Sequence, residues 1–248
     1  MDGNKIIKRL LLYFLTFGIF ESYAQKVDTA HYYTGITTTG TYNKTNAYSS
    51  YVFSNNLDLS VKKRNLKAGF HTKWLYGKQQ QELVNNDLST AFNLDLYKTF
   101  PHFYYWLLFN YNTAYSLKIN NQLQTGLGVA YILFDTENAW LNISDGVLYD
   151  YSDIYVKDSV REIYQTPRNS FRLQLKLRMK EKLNFSSVFF LQNSFLDEND
   201  YIIRNENSVS YDLKKWLKLS AKCTYDRMNR TAKENLFLTY GLTVELLF

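Results

Sequence analysis

Hydrophobic and polar residues alternate along most of this chain. In residues 171–180, FRLQLKLRMK, every second side chain is Phe, Leu or Met, and Arg, Gln or Lys stand between them. Successive side chains of a strand point to opposite faces, so this run predicts a strand with one apolar and one cationic face. About twelve runs share this period of two, at 31–43, 48–62, 66–76, 88–97, 103–115, 123–134, 139–151, 171–180, 184–195, 201–213, 217–225 and 236–248.

The length of these runs indicates the kind of sheet that they form. Strands of soluble proteins average about five or six residues, whereas a strand that crosses a bilayer at a tilt needs about 9–11. The runs are of the longer kind. They predict an all-β fold, a transmembrane antiparallel up-and-down β-barrel of about 12 strands. The alternative fold is a soluble periplasmic β-sandwich that serves as a binding module.

The first residues have the features of an export signal. Basic residues precede an apolar run at 10–20, and Ser22 and Ala24 are the small residues of a cleavage site. The apolar run is shorter than the roughly 20 residues that a membrane-spanning helix needs. We therefore predict a signal peptide at 1–24 and an outer-membrane β-barrel domain at 25–248, in a protein exported to the bacterial outer membrane.

The breaks between the runs alternate in length. Outer-membrane barrels keep short turns on the periplasmic side and longer loops outside, so the alternation predicts that both termini lie on the periplasmic side. The longest break, 155–168, contains Pro167 and is predicted to be an extracellular loop. The short breaks are near 63–65, 98–102, 135–138, 180–183 and 213–216, and the mostly longer ones are near 43–47, 77–86, 116–121, 152–168, 196–200 and 227–234.

Aromatic residues make up 17% of the chain, and many of them lie beside the predicted turns. This placement is typical of the two aromatic girdles that flank the apolar band of a membrane barrel. The predicted inner girdle contains Phe100, Phe103, Tyr104, Tyr105, Trp106 and Trp216, and the predicted outer girdle contains Tyr76, Tyr115, Tyr149, Tyr151 and Tyr225.

The last run, 236–248, alternates up to a terminal Phe248. Many outer-membrane barrels end in this way, and the barrel assembly machinery recognises that strand. The predicted partners are therefore outer-membrane lipids, lipopolysaccharide and this machinery. The chain itself is predicted to be a monomer.

The polar faces of the runs carry many charges, and the chain has a net charge of +6. A charge facing lipid at mid-depth costs about 2–4 kcal/mol, so the charged faces must line the lumen. A ladder of basic residues there favours a non-enzymatic channel that prefers small anions, and a structural or stress-related barrel is the other form of this prediction. The candidate lumen residues are Arg172, Lys176, Arg178, Lys218, Lys222 and His71, with Lys73, Arg204, Asp58, Glu206, Asp212, Asp226 and Glu245 as further charged positions.

A set of short motifs rich in Gly and aromatic residues follows a fixed order along the chain. They are TTTGTYNKTNAYSS (37–50), WLYGK (74–78), GLGVAY (126–131), LFDTENAWLNISDG (133–146) and YGLTVELLF (240–248). In order and spacing they resemble the family of salt-induced outer-membrane proteins, a domain of unknown function numbered 481. The resemblance implies a small outer-membrane barrel and brings no catalytic residue, ligand or cofactor with it. The segment 152–168 is longer than the family pattern.

The chain has few signs of an active site. Its three histidines lack metal-ligand spacing, its single Cys223 has no disulfide partner, and no Gly-rich phosphate loop occurs. We predict no metal, no cofactor and no nucleic-acid partner. The alternative function is an outer-membrane lipid-modifying enzyme of the phospholipase or deacylase type, for which His71 would be required.

Overall fold

The computed structural model describes residues 30–44, 49–97, 100–156, 160–180 and 182–247. Twelve antiparallel strands follow one another around a closed barrel, and the last strand pairs with the first. The predicted all-β, up-and-down barrel of about 12 strands is therefore confirmed. The strands are β1 (His31–Lys44), β2 (Ser49–Lys63), β3 (Leu66–Gln79), β4 (Glu82–Leu96), β5 (Phe103–Ala114), β6 (Ile119–Asp135), β7 (Ala139–Val156), β8 (Val160–Met179), β9 (Leu183–Ser194), β10 (Tyr201–Lys214), β11 (Leu217–Met228) and β12 (Lys233–Leu247).

The barrel has two ends, which the strand order distinguishes. We call the end at which β1 begins and β12 ends the inner end, and the opposite one the outer end. The predicted signal peptide at 1–24 and the terminal Phe248 lie outside the described residues. No helix in the part of the chain that the structure describes is long and apolar enough to span a membrane.

The two faces of the wall differ as the alternation predicts. On β12, Leu236, Leu238 and Tyr240 point outward and are 65%, 69% and 64% exposed, whereas Thr239 and Thr243 point inward and are buried. This apolar surface surrounds the whole barrel and would be in contact with water unless lipid covered it. The exposed apolar wall therefore indicates that lipid surrounds the barrel. The lumen, in contrast, contains hydroxyl, amide and charged groups together with apolar side chains such as Leu108 and Phe190.

A substitution on β8 tests this assignment of faces. Leu175 lies in the middle of the apolar positions of β8, and Gln174 is its neighbour on the lumen face. Leu175→Arg should destabilise the barrel in lipid by about 2–4 kcal/mol, because it places a charge against the hydrocarbon. Gln174→Arg is the matched control and should change stability little. Urea unfolding in phospholipid vesicles measures both, and equal effects would contradict the assignment.

The predicted extracellular loop at 155–168 is wrong, because β7 and β8 continue through it as a paired hairpin. The pairing runs through Tyr149 with Pro167 and ends with Val156 opposite Val160. Alternation persists here with polar residues on both faces, as expected for a part of the wall that extends beyond the lipid. A strand that is polar on both faces has the composition of a loop, which explains the error.

The predicted difference in length between inner and outer connections is also largely absent. Within the described residues, the β3 to β4 turn consists of Gln80 and Gln81 alone, both with positive φ. The break predicted at 77–86 is instead the polar outer part of these two strands. The turns at the outer end are therefore nearly as tight as those at the inner end.

The aromatic girdle at the inner end is correct in part. Phe103, Tyr105 and Trp216 point outward and are 43%, 47% and 46% exposed. Tyr104 and Trp106 alternate with them and point into the lumen, where they are 3% and 9% exposed. Aromatic residues occupy consecutive positions at the start of β5. The alternation of side chains along the strand directs them to opposite faces.

Candidate functional site in the lumen

The lumen contains a cavity of about 420 Å³ between the inward faces of β2 to β5 and of β8 to β11. Apolar side chains such as Leu108, Val188 and Phe190 line one part of it, and charged side chains such as Lys73 and Glu206 line another. Pockets that hold small molecules are of this size and have this mixed lining. The cavity is the candidate site.

One ion pair crosses the lumen. Lys73 is on β3 and Glu206 is on β10, and the two strands are separated by four strands on one side of the barrel and six on the other. Nevertheless, the Lys73 Nζ atom lies 2.6 Å from the Glu206 Oε1 atom. The side chains span the barrel between nearly opposite walls. We call them the cross-lumen pair.

The wall beneath the cross-lumen pair is made of small residues with hydroxyl groups. Thr37 and Thr243 are joined by a hydrogen bond of 3.0 Å between their hydroxyls, and Thr39 and Thr239 by one of 2.9 Å. Ser220 extends the row with a 2.8 Å contact to Thr243. We call these five residues of β1, β11 and β12 the hydroxyl wall. Their small volume leaves room for the two long side chains that meet above them.

An aromatic cluster fills the lumen on the side of β5 to β7. The Trp106 indole packs over two glycines that face each other across β6 and β7, Gly128 and Gly146. A Cβ atom on either glycine would lie 2.5 Å from the Trp106 Cζ2 atom, so only glycine permits this approach. Tyr104 and Leu148 complete the buried cluster. The cavity is therefore displaced from the centre of the barrel.

The outer end of the lumen is filled by an apolar cluster, which we call the outer cap. The β5 to β6 turn folds over the opening, and Asn235 on β12 donates a hydrogen bond of 2.6 Å to the Ser116 hydroxyl of this turn. Ser116 also contacts the Asp87 carboxylate on β4. The buried apolar residues of the cap are Ala114, Leu117, Ile119, Ile154, Ile202 and Met228.

A buried ion cluster stands beside the outer cap. Arg168 is 0% exposed, and its Nε donates to the Asp150 carboxylate at 2.6 Å. Its Nη2 donates to both carboxylate oxygens of Asp200 at 2.9 Å. Arg230 adds a second cation, 3.1 Å from Asp200, and its ring contact with Tyr164 is 4.0 Å from guanidinium to centroid. This cluster fixes the β7 to β8 hairpin to the β9 to β10 turn.

The inner end of the lumen is open to solvent and basic. Lys176 and Arg178 are exposed there, and Lys176 stacks over the Trp140 ring at 5.3 Å. Lys218 is instead neutralised by Glu245, with 2.6 Å between Nζ and Oε2. Arg178 lies 3.8 Å from a carboxylate oxygen of Asp212.

The remaining predicted lumen residues lie deeper. The Arg172 Nε atom is 3.2 Å from the Ser144 hydroxyl, and Lys222 faces the cavity. Within the described part of the chain, the ion pairs include neither of these two cations nor Lys176. Of the six sequence candidates, His71, Arg172 and Lys222 line the cavity, and the basic ladder is divided into neutralised and available cations.

His71 lies in the lumen beside a carboxylate, with 2.7 Å between its Nδ1 atom and Asp58 Oδ1. Both side chains line the cavity, and they face away from lipid. Among the described residues, no group of three or more His, Cys, Asp or Glu side chains is placed to hold a metal ion.

Two features of the site were not predicted from the sequence. The cross-lumen pair joins residues 133 positions apart, and no local pattern connects them. The cap residues Leu117 and Ile119 lie in a segment that was predicted to be a break between runs. An apolar pair within a turn is unusual and was the available signal, because such side chains need a buried environment.

The closed antiparallel barrel, with an apolar outer wall and a polar lumen, defines the chain as a protein of the outer-membrane β-barrel class. Residues 36–247 match the family model described as "Protein of unknown function, DUF481". The chain belongs to this family. No curated protein matches it in sequence.

Solved structures share the barrel architecture at low sequence identity. The NanC porin has a TM-score of 0.54 and 11% identity, over 86% of this chain and 100% of that one. An outer membrane channel from Pseudomonas putida F1 has a TM-score of 0.48 and 11% identity, over 92% and 100% of the two chains. The translocator domain of the autotransporter NalP from Neisseria meningitidis has a TM-score of 0.47 and 10% identity, over 97% and 95%. At these identities the likeness concerns the fold alone.

Proposed function

We propose that this protein is an outer-membrane channel that admits small solutes, preferentially anions, through the inner end of its lumen. The observation that carries the proposal is the open inner end, where the exposed Lys176 belongs to none of the ion pairs of the described residues. Arg172 lies further along the same strand face. Cations that line a narrow aqueous path raise the local concentration of anions.

The proposed location is the bacterial outer membrane, with the inner end towards the periplasm and the outer cap towards the exterior. The apolar wall and the closed barrel support this location, and the orientation follows the prediction that both termini lie on the periplasmic side. Lipids, lipopolysaccharide and the barrel assembly machinery are the proposed partners of a monomeric barrel.

In the proposed channel, the outer cap closes the lumen and acts as its gate. Leu117 and Ile119 are 8% and 4% exposed, so the cap leaves little space for a hydrated ion. Apolar constrictions close channels because water leaves them. Solutes cross only when the β5 to β6 turn moves away from the barrel opening.

Charge reversal at the inner end tests the anion preference. Lys176→Glu should lower the permeability ratio of chloride to potassium by about threefold to tenfold, because a change of two charge units at about 6 Å in water alters the energy of an anion by about 1.4 kcal/mol before salt screening reduces it. Reversal potentials in planar bilayers with a salt gradient measure this ratio. Lys180→Glu, in the exposed β8 to β9 turn, is the control. Cation selectivity in the wild type, or no change in Lys176→Glu, would refute the preference.

The lipid-modifying alternative finds no supporting contact in the described residues. His71 is hydrogen-bonded to Asp58 inside the lumen, whereas the scissile bond of a membrane lipid would approach from the outer wall. If the alternative were correct, His71→Ala would abolish hydrolysis of phospholipid in vesicles. We expect no hydrolysis by either protein. If the folded barrel never conducts, a structural role is the function that remains.

A further inference from the structure

The Glu206 carboxylate occupies a cationic site in the middle of the lumen. Its side chain reaches from β10 to Lys73 and remains 50% exposed to the lumen. The contact of this carboxylate with Lys73 therefore indicates that the opposite wall binds a carboxylate. The exposure of the Glu206 side chain indicates that solutes can reach this position.

Three cations surround this carboxylate. Lys73 makes the direct contact at 2.6 Å, and Lys222 and Arg204 attract Glu206 electrostatically. Lys222 is absent from the ion pairs of the described residues, although it lines the same cavity. Asp226 is a nearby carboxylate that offsets part of this positive charge. A surplus cation beside an occupied carboxylate site can serve a second anion.

An unused hydrogen-bond donor lies on the same wall. The Asn56 Nδ2 atom is buried and has no acceptor among the described residues. Asn56 is directly opposite Lys73 in the β2 to β3 register, and both line the cavity. A buried donor without a partner costs free energy, which an acceptor oxygen would recover.

We propose that Asn56, Lys73 and Lys222 form a carboxylate-binding site, at which Glu206 is a tethered internal occupant. A solute carboxylate exchanges with Glu206 as it moves along the lumen. One oxygen accepts from both Lys73 and Lys222, and the other accepts from Asn56. The solute class is small monocarboxylates, because the cavity that contains the site is also lined by Leu108 and Phe190, which can contact the apolar part of the solute. The inference deepens the proposed channel function by naming its solute.

The competition between Glu206 and solute gives the proposal a sharp test. The probe is acetate, and the protein is the full chain in detergent micelles. Proton saturation-transfer NMR measures its dissociation constant. Glu206→Gln should bind acetate about tenfold more tightly than the wild type, because a tethered competitor acts at an effective concentration in the millimolar range. Glu245→Gln, which also removes a carboxylate paired with a lysine, should leave the affinity unchanged.

A second variant removes one of the two lysines of the site and leaves the Glu206 side chain and its contact with Lys73 in place. Lys222→Met should weaken acetate binding by about tenfold to hundredfold, which is the worth of one charge-assisted hydrogen bond. Lys218→Met at the inner end is the control. The mobility of unboiled and boiled samples in SDS gels verifies that each variant is folded.

Three outcomes would overturn the site: no acetate binding by folded Glu206→Gln, equal affinity in Glu206→Gln and wild type, or no loss in Lys222→Met. These outcomes are separate from the channel function. Acetate binding without conductance would retain the site and refute the channel, whereas conductance without acetate binding would do the reverse.

Discussion

Arg168→Ala should lower the free energy of unfolding of the barrel by about 3–5 kcal/mol, because it leaves the buried Asp150 carboxylate without a cation and Asp200 with Arg230 alone. Asp150 and Asp200 are 0% and 1% exposed, and both accept charge-assisted hydrogen bonds from Arg168. Urea unfolding, followed by tryptophan fluorescence in lipid vesicles, measures the change.

The control for this substitution is Arg227→Ala. Arg227 also pairs with a carboxylate, that of Glu234 at 3.7 Å, but the two side chains are 40% and 60% exposed. Exposed pairs contribute little, so this variant should unfold almost as the wild type does. Equal losses in the two variants would show that burial of the Arg168 cluster has no energetic role.

Leu117→Asp should raise the open probability of the channel at least severalfold. Leu117 is 8% exposed within the outer cap, and a carboxylate there would lose its hydration among apolar side chains. A penalty of about 3 kcal/mol would shift the equilibrium of the β5 to β6 turn about 150-fold towards the displaced state. Recordings in planar bilayers measure the open probability and the conductance.

Tyr115→Asp is the matched control for the cap, because Tyr115 belongs to the same turn and is 48% exposed. It should conduct as the wild type does. If Leu117→Asp is folded and conducts no better than Tyr115→Asp, the cap is a fixed part of the wall. The barrel is then closed at its outer end and accessible only from its inner end.

The membrane-facing parts of this fold are predictable from sequence, and the parts beyond the membrane are not. Where lipid covers one face, the alternation is enforced residue by residue, as in Leu173 and its neighbours on β8. Where water covers both faces, no such constraint acts, and the strand around Gln165 has the composition of a loop. The full length of β7 and β8 could therefore not be predicted from the sequence and is evident only from their pairing in the structure.

The candidate site was predictable in its residue types and unpredictable in its contacts. Alternation placed His71, Arg172 and Lys222 on the lumen face, since register is a local property. Which cation meets which carboxylate depends on the shape of the closed barrel. The meeting of Lys73 with Glu206 is a property of the cross-section, which strand tilt and shear determine.

The hydroxyl wall has a consequence for how the barrel forms. It lies along the seam between β1 and β12, which has eight residue pairs within the described residues, against fourteen between β1 and β2. Its side-chain contacts join residues as much as 206 positions apart, so the seam carries the largest loop-closure entropy in the molecule. Every other strand pair is local and can zip up from its turn. The seam can form only when β12 is present, so closure of the barrel depends on its last strand.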